Sequence, residues 1–273
     1  MYVEVETTTL GRYLAALRQR EEGRRHEAGL LPPTRKLSRE RTAGEAHITA
    51  SYLTKVERDE VGQVAVGILW QLAEAYHVSE DEWRYVCDLA GHGAPYPYLA
   101  GMDLALTMPP LEEFRAALTP MMFTEMDEAT TDLVAFVTPQ RQLIAANRAY
   151  LDTYPTHRPG MFHLEWAFTD ESKEIFINWD EQVDLGVAWH RGIMGRYGHT
   201  QWAQESHRRL WEFADFRRKW EAQDVAYSRP AVPETLLRIR GRRYAMTIES
   251  WQMQHSSLPI GKTRCRLRPF PEQ

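Results

Sequence analysis

"LSRERTAGEAHITASYLTKVERDE", residues 37–60, holds two short helical patterns separated by a break near His47. Ser38 stands where a side-chain oxygen caps a helix, ahead of "RERTAGE". Thr49 stands in the same way ahead of "ASYLTKVER". Ile48, Tyr52, Leu53 and Val56 recur at helical spacing and give the second helix an apolar face. Ala50, Ser51, Thr54, Lys55 and Arg58 are left to the other side. Small residues at a helix start permit close approach to base edges, and hydroxyls and cations suit bases and phosphates. The candidate DNA-contacting residues are therefore Arg39, Thr49, Ala50, Ser51, Thr54, Lys55 and Arg58.

Charge supports this reading locally. The 273-residue chain carries a formal net charge of −5. Residues 10 to 58 hold eleven Lys or Arg and six Glu, a local excess of five positive charges. A nucleic-acid surface on an acidic chain has to be local, and phosphate binding needs this asymmetry.

Helical signals also fill the flanks of the stretch. Thr9 is placed to cap a helix through "LGRYLAALRQR". "EEGRRHEAGLLPPTRK", with Gly23, Gly29 and Pro32–Pro33, reads as a loop. "AVGILWQLAEAY" and "SEDEWRYVCDLA" read as helices, the latter opened by a Ser79–Glu82 capping box. "GHGAPYPYLAG" is rich in Gly and Pro and marks a junction. The expected boundaries are a helical domain over 1–91, a linker over 92–106 and a second domain over 107–273. The second domain opens with the helical "PLEEFRAAL". "TDLVAFVT" and "QLIAAN" follow as paired strands. The middle, from about Met161 to Asp224, is helical and rich in aromatics. "ETLLRI", "YAMTIESWQM" and "TRCRLRP" close it as strands. Strands, helices, then strands describe an α+β domain with an antiparallel sheet.

The first 90 residues resemble the helix-turn-helix of XRE (Cro-type) regulators. Leu37, Ser38, Glu40, Ala43, Ala46, Ile48, Thr49, Tyr52, Leu53, Thr54, Val56 and Glu57 carry the match. Four positions depart from it. Thr42 replaces an apolar core residue, and Gly44 weakens the first helix of the motif. His47 replaces the turn glycine, and Asp59 stands where a glycine ends the second helix. The loop before Lys36 is longer than usual. Residues 109 to 268 resemble the ligand-binding half of MmyB-like regulators. "LIAANRAYLDTYP", "MFHLEWAFTD", "FINWDEQVDLGVAWHRGIMGRYG" and "LWEFADFRRKWEAQDV" carry that likeness. Asn147, Phe168, Trp179, Arg191, Phe216 and Trp220 stand at its signature positions, while Gly192 and Ala214 depart from it. The resemblance implies a PAS-like fold holding an apolar, fatty-acid-like ligand. With Phe136 and Trp189 added, these are the candidate ligand contacts. Arg191 is either the partner of a ligand carboxylate or a salt-bridge partner of Glu181 or Asp184.

Other chemistry finds little support in the pattern. His190, His199 and His207 lack metal-ligand spacing, and Cys87 and Cys265 are far apart. No nucleophile motif and no phosphate loop stand out, so neither an enzyme nor a cofactor is expected. "MYVEVETTTL" does not read as a signal peptide, and no apolar run is long enough for a bilayer, which points to the cytoplasm. The expected protein is a DNA-binding transcription regulator with an N-terminal all-α domain of five helices. Its expected partners are double-stranded DNA, a small apolar ligand and a second copy, because paired half-sites favour a homodimer. Two competing readings are a protein-interaction module with a degenerate helix-turn-helix and a redox or haem sensor.

Overall fold

The computed structural model describes residues 8–93, 108–227, 234–253 and 256–270. The junction expected in "GHGAPYPYLAG" lies largely outside these residues. The chain divides into two compact units. One holds the five N-terminal helices together with His190–His199 and Val225–Tyr227, and the other holds the sheet and the remaining helices.

The N-terminal helices are α1 (Leu10–Glu27), α2 (Arg39–Glu45), α3 (Ala50–Glu57), α4 (Val66–Ala75) and α5 (Glu80–Leu89). Thr9, Ser38, Thr49 and Ser79 cap α1, α2, α3 and α5 through their side chains, and Ser79 and Glu82 complete a capping box. Helix α1 runs well past the point where a loop was expected. Its second half is held by side-chain pairs one turn apart, Glu21 with Arg24 and with Arg25, the spacing that supports a helix surface. Nothing crowds Gly23 within 4 Å, so it costs the helix only its intrinsic propensity.

Each helix ends in the same way. The residue after the C-cap is left-handed, at Gly29, His47, Asp59, His77 and Gly91. The next amide reaches back to a carbonyl of the last turn, as Ile48 does to Ala43 at 2.9 Å and Glu60 to Lys55 at 2.9 Å. This is the Schellman ending. Three of the five use a residue with a Cβ, which strains the backbone. Asp59 gives something in return. Its carboxylate accepts from the Gly11 amide at 2.8 Å and from the Thr9 hydroxyl at 2.6 Å, at the start of α1. Gly11 permits this approach, since a Cβ there would sit 2.6 Å from the Val56 carbonyl oxygen.

In the second unit, α6 (Leu111–Ala116) and α7 (Pro120–Glu128) precede β1 (Leu133–Val137) and β2 (Leu143–Ala146). Helices α8 (Arg148–Thr153), α9 (His163–Trp166), α10 (Asp170–Ile175), α11 (Trp179–Tyr197), α12 (Gln201–Trp211) and α13 (Ala214–Trp220) follow. Residues of α11 from His190 onward group with the first unit. Strands β3 (Thr235–Ile239), β4 (Arg242–Gln252) and β5 (Gly261–Pro269) end the fold. The five strands form one antiparallel sheet in the order β2-β1-β5-β4-β3. The expected strands are thus all present, and the last of them lies at the centre.

Alternation along β1 sends side chains to opposite faces. Leu133, Ala135 and Val137 join Tyr150, Tyr154, Trp166 and Phe176, and Tyr244, Met246 and Ile248 of β4 face the same core. Val134 and Phe136 join Phe114, Met122 and Met126 on the other face.

Thr42 is 1% exposed in α2, and its hydroxyl has no hydrogen-bond partner among the described residues. A buried unpaired hydroxyl costs free energy that an isosteric apolar side chain does not. Thr42→Val should therefore raise stability by about 1 kcal/mol in urea unfolding; a loss of stability would show that the hydroxyl is satisfied in solution.

Candidate functional site

Helix α3 buries one face and exposes the other, as its spacing predicts. Leu53 is 0% and Val56 2% exposed, while Ile48 and Tyr52 are half-buried. Thr49, Ser51, Lys55 and Arg58 are exposed; Ala50 and Thr54 are intermediate. Two hydroxyls already have local work: Thr49 caps the helix by accepting from the Tyr52 amide, and Thr54 donates to the Ala50 carbonyl at 2.8 Å. Ser51 and Lys55 therefore have the freest side chains on this face. Arg58 lies 3.9 Å from Glu60, a loose surface pair. Arg39 is half-buried and donates its Nε to Glu57 at 2.5 Å, so part of its guanidinium is engaged within the fold.

Glu57 holds the motif in place. Its carboxylate is nearly inaccessible and accepts from Arg18 at 2.7 and 3.1 Å as well as from Arg39. Arg18 also donates to the Leu37 carbonyl at 3.1 Å. The hydrogen bond to Glu57 raises the Arg18 pKa further above its ordinary value. A second network centres on Glu21. Burial works against its charge, but hydrogen bonds from Arg24 and Arg25 outweigh that and hold its pKa at about 2. Arg25 reaches on to Glu45 with two bonds of 2.8 Å and to the Ala75 carbonyl. These two networks were not read from the sequence. The i,i+3 and i,i+4 spacing of Glu21 with Arg24 and Arg25 was the available signal.

In the second unit, four of the candidate ligand contacts come together. Phe168 lies 6.2 Å from Trp179 and 5.8 Å from Phe216, and Phe216 stacks on Trp220 at 5.5 Å. Phe213 stacks on Phe168 at 5.3 Å, and buried His207 lies edge-on to Trp220 at 4.5 Å. Trp179 is oriented by its indole N–H, which donates to the Ala167 carbonyl at 2.7 Å. Lys173 and Lys219 lie over its ring at 4.9 and 5.4 Å.

The other four candidates lie elsewhere. Phe136 is fully buried on the opposite face of the sheet from Trp179. Trp189 is half-buried beneath the Arg141 guanidinium at 5.3 Å. Arg191 falls in the first unit, fully buried, and donates to Thr8. Asn147 has a structural role. Its oxygen accepts from the Val134 and Tyr150 amides, and its NH₂ donates to the Ala129 and Asp132 carbonyls. These four bonds, at 2.7 to 3.1 Å, use both of its donors and both lone pairs. It caps α8 and ties the entrance of β1 to it.

A second aromatic group packs on the sheet: Tyr150, Tyr154, Trp166 and Phe176, with His157 stacked on Trp166 at 5.1 Å. His157 is 1% exposed and shares a 2.8 Å hydrogen bond with the Tyr150 hydroxyl. The sequence reading passed over it, although Tyr150, Tyr154 and His157 follow one another at helical spacing. Burial lowers the His157 pKa to about 4.

The fold defines the class: a chain with a helix-turn-helix unit and an α+β unit built on a five-stranded antiparallel sheet. Residues 9–85 match the family model for a helix-turn-helix domain. Residues 125–257 match the model for the MmyB-like transcription regulator ligand binding domain. No curated protein matches the chain. The chain thus carries the two domains that make up an MmyB-like helix-turn-helix transcription regulator.

His157 gives a pH signature. Its folded pKa lies below the unfolded value of about 6.5, so the unfolded chain takes up the proton first. Stability is then lost as pH falls from about 6.5 toward about 4. Between pH 6.5 and 5.0 the His157 share is about 1.5 kcal/mol. His157→Gln should remove that share in unfolding curves across this window, and an unchanged pH slope would place the proton elsewhere.

Proposed function

We propose that this ligand-responsive transcription regulator docks α3 in the major groove of duplex DNA. In this docking Ser51 and Thr54 approach base edges, Thr49 and Ala50 line the entry, and Arg39, Lys55 and Arg58 contact phosphate. The observation that carries the reading is the division of α3: Leu53 and Val56 are buried, while Ser51, Lys55 and Arg58 are exposed. A packing-only helix has no need of an exposed face of small residues, hydroxyls and cations. Two copies of the chain would place two recognition helices on half-sites one helical turn apart, so the working form is a homodimer acting in the cytoplasm.

Lys55→Ala should weaken binding to all sequences and reduce the salt-dependence slope by about one. Ser51→Ala should cost about 1–3 kcal/mol at a single base position. Gel shifts at several salt concentrations measure both effects. A Lys55→Ala protein with the parent's affinity and slope would mean that α3 does not face the phosphates.

For the second domain we propose a PAS-like sensor of an amphiphilic acid of fatty-acid type. The sheet order β2-β1-β5-β4-β3 supports the PAS-like assignment. The aromatic group of Phe168, Trp179, Phe213, Phe216 and Trp220 supplies an apolar environment. Lys173 and Lys219 lie beside Trp179 but already pair with Asp215 and with Asp180 and Asp184, so a ligand carboxylate would have to exchange for one of these acids. Each buried methylene contributes about 0.8 kcal/mol, so affinity should climb with chain length until the space is filled. In a thermal-shift series on delipidated protein, long-chain acids should raise the melting temperature and short ones should not. A flat response along the series would reject a fatty-acid-like ligand and leave the DNA-binding half untouched.

A further inference from the structure

Most of the positive charge in the N-terminal helices is already matched within the fold. Arg18 and Arg39 pair with Glu57, Arg24 and Arg25 with Glu21, Arg41 with Glu45, and Arg20 with Glu82. Arg35 and Lys36 differ. Both are exposed, and neither has an ion-pair partner among the described residues. They lie on the segment between the end of α1 at Glu27 and the start of α2 at Arg39.

That segment is ordered by everything except its two cations. Leu31 and Leu37, each 1% exposed, anchor its ends in the core. The Arg35 amide donates to the Pro32 carbonyl at 2.9 Å, closing a turn with Pro33 in its second position, where a fixed φ is favoured. The His26 ring nitrogen lies 2.8 Å from the Arg35 carbonyl oxygen, and the Leu37 amide donates to Glu22 at 2.6 Å. The backbone is thus held while both side chains stay free. Adjacent like charges repel, and a pre-ordered pair of them gains most when an anion arrives.

The loop is also registered to the recognition helix. Arg18 donates to the Leu37 carbonyl at the end of the loop and to Glu57 at the end of α3. One guanidinium therefore links the segment bearing Arg35 and Lys36 to the end of the helix bearing Lys55 and Arg58.

We infer that the α1–α2 loop is a second phosphate clamp. Arg35 and Lys36 grip the DNA backbone outside the stretch read by α3 and lengthen the contacted site. This rests on the docking of α3 proposed above. Neutralising one phosphate contact reduces the salt slope by about 0.9, whatever the base sequence. The test titrates the full chain with a mixed-sequence duplex of about 30 base pairs between 50 and 200 mM salt, the range over which such slopes are read. The Arg35→Gln/Lys36→Gln double variant should lower the slope by about 1.8, so that it loses about tenfold less affinity than the parent over that range. Each single variant should account for about half of the change. Since neither side chain has an ion-pair partner to lose, melting curves should coincide with the parent's. Arg208→Gln/Arg238→Gln, two exposed cations of the other unit, is the matched control and should leave the slope unchanged. If the loop variants track that control while Lys55→Ala still flattens the slope, the clamp is refuted and the α3 docking stands. If the parent shows no salt-dependent binding, the docking fails and the clamp fails with it.

Discussion

The carboxylate of Glu57 is the constraint on which the DNA-binding unit depends. It ends α3, yet its side chain is almost wholly inaccessible, and its two oxygens serve Arg18 from α1 and Arg39 from α2. Three helices meet at one charge, and Arg18 adds the backbone just before α2. Hydrophobic contact alone would let α3 rotate about its axis at modest cost. A bidentate guanidinium fixes both distance and plane. Breaking a buried pair by removing one partner typically costs about 3–5 kcal/mol, because the remaining charge is stranded. The arrangement is thus costly to lose, and it sets which face of α3 looks outward.

The same economy explains the strained turns. His47 and Asp59 bracket α3 with left-handed residues where glycine would relax the backbone. At Asp59 the compensation is visible: the carboxylate caps the start of α1, and Gly11 lets the end of α3 approach within 2.6 Å of where a Cβ would be. Glycine at position 59 would relieve the turn but leave the Gly11 amide and the Thr9 hydroxyl without their acceptor. At His47 no such partner is present among the described residues, and its strain is the clearer departure from the helix-turn-helix pattern.

What was legible in the sequence was what local chemistry decides. Thr9, Ser38, Thr49 and Ser79 announced four helix starts because a capping oxygen needs only the next three residues. The strands announced themselves by composition and by the turns between them. The position of β5 between β1 and β4 was not legible, since pairing partners far apart in sequence leave no local trace. The end of α1 was misread because Gly23 and a dense charge run look like a loop until Glu21, Arg24 and Arg25 are seen on one surface. Asn147 shows the opposite failure. Its place before "RAYL" has the grammar of a helix cap, and that bland role is the one it fills, whereas family likeness had suggested a ligand contact. Arg191 went astray for a reason no spacing rule covers, because α11 contributes its two halves to different compact units. The basic excess over residues 10 to 58 was real in count, but the fold consumes much of it internally.

The aromatic group of the second unit sets its own condition on any ligand. Phe168, Phe213, Phe216 and Trp220 are already in ring contact, at centroid distances of 5.3 to 5.8 Å. An apolar chain entering among them has to separate at least one pair, and each such pair is worth about 0.5–1.5 kcal/mol beyond its buried area. One or two methylenes, at about 0.8 kcal/mol each, only offset that opening. A net gain therefore begins beyond a threshold length, after which each further methylene counts in full. A short apolar chain would meet a closed cluster and gain too little to open it. For a ligand of the proposed kind, discrimination by length would follow from how tightly the rings pack, with no residue needed to recognise the end of the chain. Loosening the cluster by trimming one ring would lower the threshold as well as the affinity for long chains, so selectivity and tightness are set by the same contacts.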